Sequence, residues 1–140
     1  MLRRHAPGDT DRLGASLRVE ARKRWAAGPP PLSDYERNRL RYALTDLLDN
    51  LRGCADPAER VHLVSHALQH ASQLALLAGR HWLGDAKWLS RRLAAANPEL
   101  RCTLTDAAAQ AIAGHTSDFA AVMAEVLDQA GGPAGWVHLR

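Results

Sequence analysis

Leucines recur at Leu40, Leu44, Leu47, Leu48 and Leu51, in steps of three and four that lay one broad apolar stripe along a helix. Ser33 stands ahead of this run, with Glu36 three residues beyond it. At that spacing the serine hydroxyl accepts from a free backbone N–H of the first turn, and the glutamate reaches back to the cap. Nothing interrupts the pattern before Gly53. A helix from Ser33 to about Leu51 is predicted, and the rest of the chain is organised around it.

The same reading runs through the whole chain. Asp9 or Thr10 can cap a first helix ending near Ala27, whose stripe of Leu13, Leu17, Ala21 and Trp25 is narrow and borders Arg22-Lys23-Arg24. Such a helix needs something to lie on. Residues 1–8 are expected to be disordered. Gly28-Pro29-Pro30-Pro31 then forms a stiff, extended connector and the one plausible boundary. Asp56-Pro57-Ala58-Glu59 supplies an N-cap, a first-position proline and a first-turn acid. The helix that follows has a wide face of Val61, Val64, Leu68, Ala71, Ala75 and Ala78, flanked by Leu63, Ala67, Leu74 and Leu77, and stops at Gly79. So wide a face belongs at the centre of a bundle.

Trp82 lies in the next connector. Asp85 is the expected cap of a helix to about Ala96, Asn97-Pro98-Glu99 restarts another that ends at Gly114, and Thr116 or Ser117 caps the last. That helix buries Phe119, Val122, Met123, Val126, Leu127 and Ala130 before Gly131-Gly132. No stretch alternates like a half-buried strand. The class is all-α: an up-and-down bundle of four to five helices plus an N-terminal helix. The divisions are a basic N-terminal arm at 1–28, the bundle at 29–132 and a tail at 133–140. Leu44, Leu47, Leu48, Val64, Leu68, Ala71, Leu93, Val122 and Val126 form the expected core.

Charge changes this picture at one end only. Of the net +3, residues 1–28 hold seven Lys/Arg against three acids, and the remainder holds eleven against twelve. The basic pI therefore comes from the arm and gives no reason to expect a nucleic-acid-binding bundle. Cys54 and Cys102 make no C-x-x-C, so no thiol redox motif or zinc knuckle is present. The first residues lack the apolar core of a signal peptide and no run is long enough to span a bilayer. A cytoplasmic location without membrane contact is expected.

Opposite the leucines, Tyr35, Arg39, Tyr42, Asp46 and Asp49 form a second stripe. It suits contact with a polar ligand or another domain, or is a solvated face. His62, His66 and His70 follow one another at steps of four. Neutral imidazoles one turn apart can share a metal, but no third ligand is indicated, so a polar face is expected and no metal is assigned. Asp9-Thr10-Asp11 has the spacing of a metal-binding D-x-D, but no strand precedes it to hold the carboxylates rigid, so it is taken as a helix cap. Lys87 and Arg91 lie one turn apart near a helix start, where phosphate is favoured. Trp82 and Trp88 beside them can wall a pocket or a domain contact, or be half-buried under a basic outer face.

Three segments carry a resemblance: P-P-P-L-S-D-Y-E…R-Y-A-L-T-D-L-L-D-N-L, then G-R-H-W-L-G-D-A-K-W-L-S-R-R-L, then V-L-D-Q-A-G-G. In this order, from about Pro29 to Gly132, they resemble the helical C-terminal half of bacterial minimal nucleotidyltransferases. The plan is similar to the substrate-binding bundle of kanamycin nucleotidyltransferase and to related HEPN-like bundles. The resemblance implies a bundle that closes the cleft of a catalytic domain, shapes the acceptor site and often mediates dimers, so a homodimer is expected. By it, Asp46 and Asp49 face the acceptor, and Lys87 with Trp88 stands near the phosphates or the domain seam. Tyr35, Arg39 and Tyr42 complete that surface. The catalytic half, with its Gly-Ser loop, D-x-D pair, ATP and magnesium, is not in these residues. The chain is therefore expected to be inactive alone, either as a fragment or beside a separate catalytic subunit. Two alternatives stay open. Arg60 and His66 fit the loose R-x(4–6)-H pattern of HEPN-type ribonucleases, including toxin–antitoxin components, and the bundle can instead be a non-catalytic assembly module.

Overall fold

A computed structural model of the chain describes residues 7–131, with side chains from Arg12 onward. All regular structure among them is helical: α1 (Pro7–Ala27), α2 (Asp34–Arg52), α3 (Pro57–Ala78), α4 (Lys87–Ala96), α5 (Pro98–Ile112) and α6 (Ser117–Gln129). No helix among them is long and apolar enough to cross a membrane. Pro7 and Gly8 are helical, against the expectation of disorder there. Residues 1–6, the capping side chains of Asp9 and Thr10, and the tail at 133–140 lie outside the described ones.

Most helix starts follow from their caps. Ser33 Oγ accepts from Glu36 N at 3.1 Å, Asp56 Oδ1 from Ala58 N at 2.9 Å, and Asn97 Oδ1 from Leu100 N at 3.1 Å. Each bond satisfies one N–H that a helix leaves unpaired at its first turn. α4 departs from expectation. Asp85 does not cap it; Ala86 holds the cap position at φ 50°, ψ −120° without a side-chain bond. Thr116 likewise makes no side-chain cap for α6.

α3 is the hub, packing against α2, α4, α5 and α6. The core holds Leu44, Leu48 and Leu51 of α2, Val64, Ala67, Ala71, Leu74 and Leu76 of α3, and Leu89 and Leu93 of α4. Leu104 with three alanines of α5, Phe119, Val122, Met123, Val126 and Leu127 of α6, and Ala130 just past it complete it. Leu47 and Leu68, expected inside, are half-buried and pack against its edge. Val61 is exposed, so α3's wide stripe begins a turn late. Small residues on both α3 (Ala67, Ala71, Ser72) and α5 (Ala107, Ala108, Ala111) let these helix axes approach closely.

Arg41 is the one buried charge among the described residues. Its Nη1 donates to Asn38 Oδ1 at 2.9 Å, and its Nη2 donates to the Gly131 carbonyl just past α6. A guanidinium on a carbonyl just beyond a helix C-terminus is favoured by both hydrogen bonding and the helix dipole. It ties α6 to α2.

Among the described residues α1 runs alongside no other helix and meets α4 through side chains alone. It is held at its C-terminal end, where Trp25 stacks on Trp82 at 6.0 Å between ring centroids and the Arg92 guanidinium lies 4.7 Å over the Trp25 ring. Trp82 Nε1 donates to the Trp25 carbonyl at 3.0 Å. Gly28, at φ 76°, follows directly; a Cβ there would lie 2.0 Å from the Arg80 carbonyl oxygen. Only glycine fits both the left-handed backbone and that approach.

Phe119, wholly buried, is expected to lose about 3–5 kcal/mol of stability on Phe119→Ala. Val61→Ala should cost less than about 0.5 kcal/mol. Denaturant melts compare the two directly, and equal losses would mean the core is misassigned.

Candidate ligand-binding groove

A groove of about 460 Å³ opens between α3, α4 and α5. Its floor is apolar: Leu68, Leu89, Leu93 and Leu104. Its walls are mostly polar: Ser65, Gln69 and Ser72 from α3, Asp85 and Ala86 just ahead of α4, Ser90 within α4, and Arg101 and Thr105 from α5. The α3 residues fall at steps of four and three, so they form one strip on a helix that is apolar on most other sides.

Four of the polar side chains, Ser72, Ser90, Arg101 and Thr105, make local bonds. Ser72 Oγ donates to the Leu68 carbonyl at 2.8 Å, which commits its proton. Thr105 Oγ1 donates to the Arg101 carbonyl in the same way. Arg101 Nε donates to Ser90 Oγ at 3.2 Å, a strut from α5 to α4. Among the described residues neither Arg101 nor Asp85 has an ion-pair partner. The groove thus joins an apolar floor, a held guanidinium and an unpaired carboxylate, a set that suits a small amphipathic ligand with an anionic end and a donor group.

Sequence reasoning missed these groove residues. Their signal was present, as a Ser65/Gln69/Ser72 strip inside an apolar helix and an Arg101/Thr105 pair one turn apart. What sequence alone withheld was which neighbour that strip meets.

The residues it did single out are dispersed. Tyr35, Arg39, Asp46 and Asp49 are exposed on the outer side of α2, with Tyr42 half-buried among them. Asp49 pairs with Arg52 at 3.5 Å and Asp46 accepts from Asn50 at 3.5 Å. Lys87 and Trp88 are exposed in the first turn of α4, with the Arg91 guanidinium 4.9 Å over the Trp88 ring. α2 and α4 do not pack on one another, so the α2 stripe and the Lys87/Trp88 corner are not joined in one surface by contact. Lys87 and Trp88 instead directly follow Asp85 and Ala86 at the groove.

Arg60 and His66 are also apart. Six residues of helix turn them about 120° from each other. Arg60 reaches the α5–α6 turn, with its Nη1 3.5 Å from the place a Cβ would take on Gly114. His66 Nε2 lies 3.0 Å from His70 Nε2, their rings edge to face. One Nε2 must donate and the other accept. His70 Nδ1 is buried without a partner. Burial, and secondarily the neighbouring His66, holds the His70 imidazole below the usual histidine range. No group of three His, Cys, Asp or Glu able to hold a metal occurs among the described residues.

Comparison with protein-family models, curated proteins and solved structures gives no match to this chain.

The His70 geometry sets a pH dependence. The folded state resists protonating His70 while the unfolded chain does not, so protons favour unfolding and stability falls as pH drops through the histidine range. Thermal melts between about pH 8 and pH 5 should show that fall, and His70→Gln should flatten it. An unchanged slope would assign the dependence to other groups.

Proposed function

We propose that this chain is a ligand-binding helical domain whose occupant, a small amphipathic molecule with an anionic end, lies in the α3–α4–α5 groove. The observation that carries this reading is Arg101. Its Nε is held by Ser90, and no acid pairs with it above a floor of four leucines. A guanidinium placed in advance loses less freedom on binding an oxyanion. Ala86 adds support: a non-glycine residue at φ 50° on the groove edge is strained, and such strain gathers at functional sites.

The resemblance gives this domain a role as the acceptor-binding, non-catalytic part of a nucleotidyltransferase. The Gly-Ser loop, the D-x-D pair, ATP and magnesium then belong to a separate catalytic domain or subunit. Lys87 and Trp88, beside the groove, stand where an acceptor site borders the phosphates. The outward α2 stripe of Tyr35, Arg39, Tyr42, Asp46 and Asp49 serves the seam with the catalytic partner rather than the acceptor. A homodimer belongs to the same reading.

Anilinonaphthalene sulfonate, an amphipathic anion, is a suitable probe. It should bind one-to-one, and Arg101→Gln should weaken it about tenfold or more at an unchanged melting temperature. Asp46→Asn with Asp49→Asn should leave dye binding alone. Equal binding by Arg101→Gln would end the groove reading. The transferase role is separable: the chain alone should transfer no nucleotide from ATP, and a catalytic domain in trans should restore transfer that the Asp46/Asp49 double variant loses. Dye binding without such restoration would leave a binding domain with no transferase role.

A further inference from the structure

We infer that the pocket between the end of α1, the α3–α4 connector and the second half of α4 binds a phosphate monoester carried on a flat ring. It shares no residue with the α3–α4–α5 groove, and the inference does not rest on that reading.

The pocket holds about 430 Å³ and is lined by Trp25, Arg80, His81, Trp82 and Arg92; every other lining residue is glycine or alanine. Its chemistry is therefore two guanidiniums, one imidazole and two indoles, with no carboxylate. Glu20 lines the adjoining groove along α1 and not this pocket. Among the described residues neither Arg80 nor Arg92 has an ion-pair partner. Arg92 Nε is buried without a hydrogen-bond partner. A cleft lined by one sign of charge concentrates ions of the other. A guanidinium pairs with phosphate through two parallel bonds, and the second negative charge of a phosphate monoester answers the second arginine.

Backbone geometry at Arg80 points the same way independently. α3 ends with Arg80 N donating to the Leu77 carbonyl at 3.0 Å and His81 N to the Leu76 carbonyl at 2.8 Å. That pair of bonds sets Arg80 in the left-handed region, at φ 58°. Glycine takes this position without strain, and here it stands one place early, at Gly79. An arginine where glycine is easier argues for a side chain that the pocket uses. Its Nε donates to the Pro29 carbonyl at 3.3 Å, and its terminal nitrogens make no hydrogen bond among the described residues. The guanidinium is restrained at one end and uncommitted at the other.

The indoles select the rest of the ligand. Trp25 and Trp82 stack at 6.0 Å between centroids, and Trp25 is still 56% exposed. Indole surface beside two cations suits an aromatic group attached to the phosphate.

Calorimetry with phenyl phosphate, inorganic phosphate and phenol tests this. Phenyl phosphate should bind one-to-one, inorganic phosphate more weakly, and phenol not measurably. Arg80→Gly should weaken phenyl phosphate about tenfold or more. Its melting temperature should stay level or rise, because glycine relieves the left-handed backbone. Arg101→Gln should leave this binding unchanged. Absent binding, or binding unmoved by Arg80→Gly, would overturn the proposal. Binding lost together with an earlier melt would make Arg80 a structural strut and overturn it as well. Loss with Arg101→Gln would put the phosphate in the α3–α4–α5 groove instead. Equal affinity for inorganic phosphate or for phenol would overturn the joint recognition of ring and charge.

Discussion

Burial of α3 among four other helices is the constraint on which the rest depends. A helix touched from several sides must be apolar around most of its circumference, and Val64, Ala67, Ala71, Leu74 and Leu76 meet that demand. What cannot be apolar is squeezed into two narrow strips. Ser65, Gln69 and Ser72 make one, and His62, His66 and His70 the other. The first strip lies between α4 and α5 and becomes the wall of a groove. The second closes on itself through the His66–His70 bond. The same packing demand therefore produces one open polar surface and one partly paired within itself, with His70 Nδ1 left buried without a partner.

The remaining polar groups act as ties between elements. Arg41 links α2 to the chain just beyond α6, and Arg101 links α5 to α4 through Ser90. The cluster of Trp25, Trp82 and Arg92 fixes the end of α1. Glycine makes close approach possible here too: a Cβ on Gly84 would come within 2.8 Å of both Arg92 Nε and the Trp88 Cβ. The α3–α4 connector is thus folded tightly onto α4, and that is how the strained Ala86 comes to stand at the groove's edge.

Much of this was legible in the chain. Helix spacing and the Ser33, Asp56 and Asn97 caps located most elements, because caps and periodicity are local properties. Errors arose where a neighbour decides. Leu47 and Leu68 sit at the margin of a stripe whose centre is right, since a stripe's width does not state how far a partner covers it. Asp85 looked like a cap, yet the close packing around Gly84 turns the backbone so that Ala86 takes that position instead. The α2 stripe and the Lys87/Trp88 corner share chemistry but stand on helices that do not touch, and order along a chain carries no information on that.

The site was harder to read than the fold because its residues are individually ordinary. Ser65, Gln69, Ser72, Ser90, Arg101 and Thr105 come from three helices, and no spacing along the sequence joins them. Their value lies in juxtaposition. A surface arginine is usually mobile and weakly placed, but Arg101, at the rim of the groove, is held at Nε by a serine on the adjacent helix. Lys87, though cationic and near a helix start, has no comparable restraint and stays exposed. Of the two cations near the groove, the one the packing holds in place has more to offer an oxyanion, and the free one has more to offer a charge that arrives with a partner.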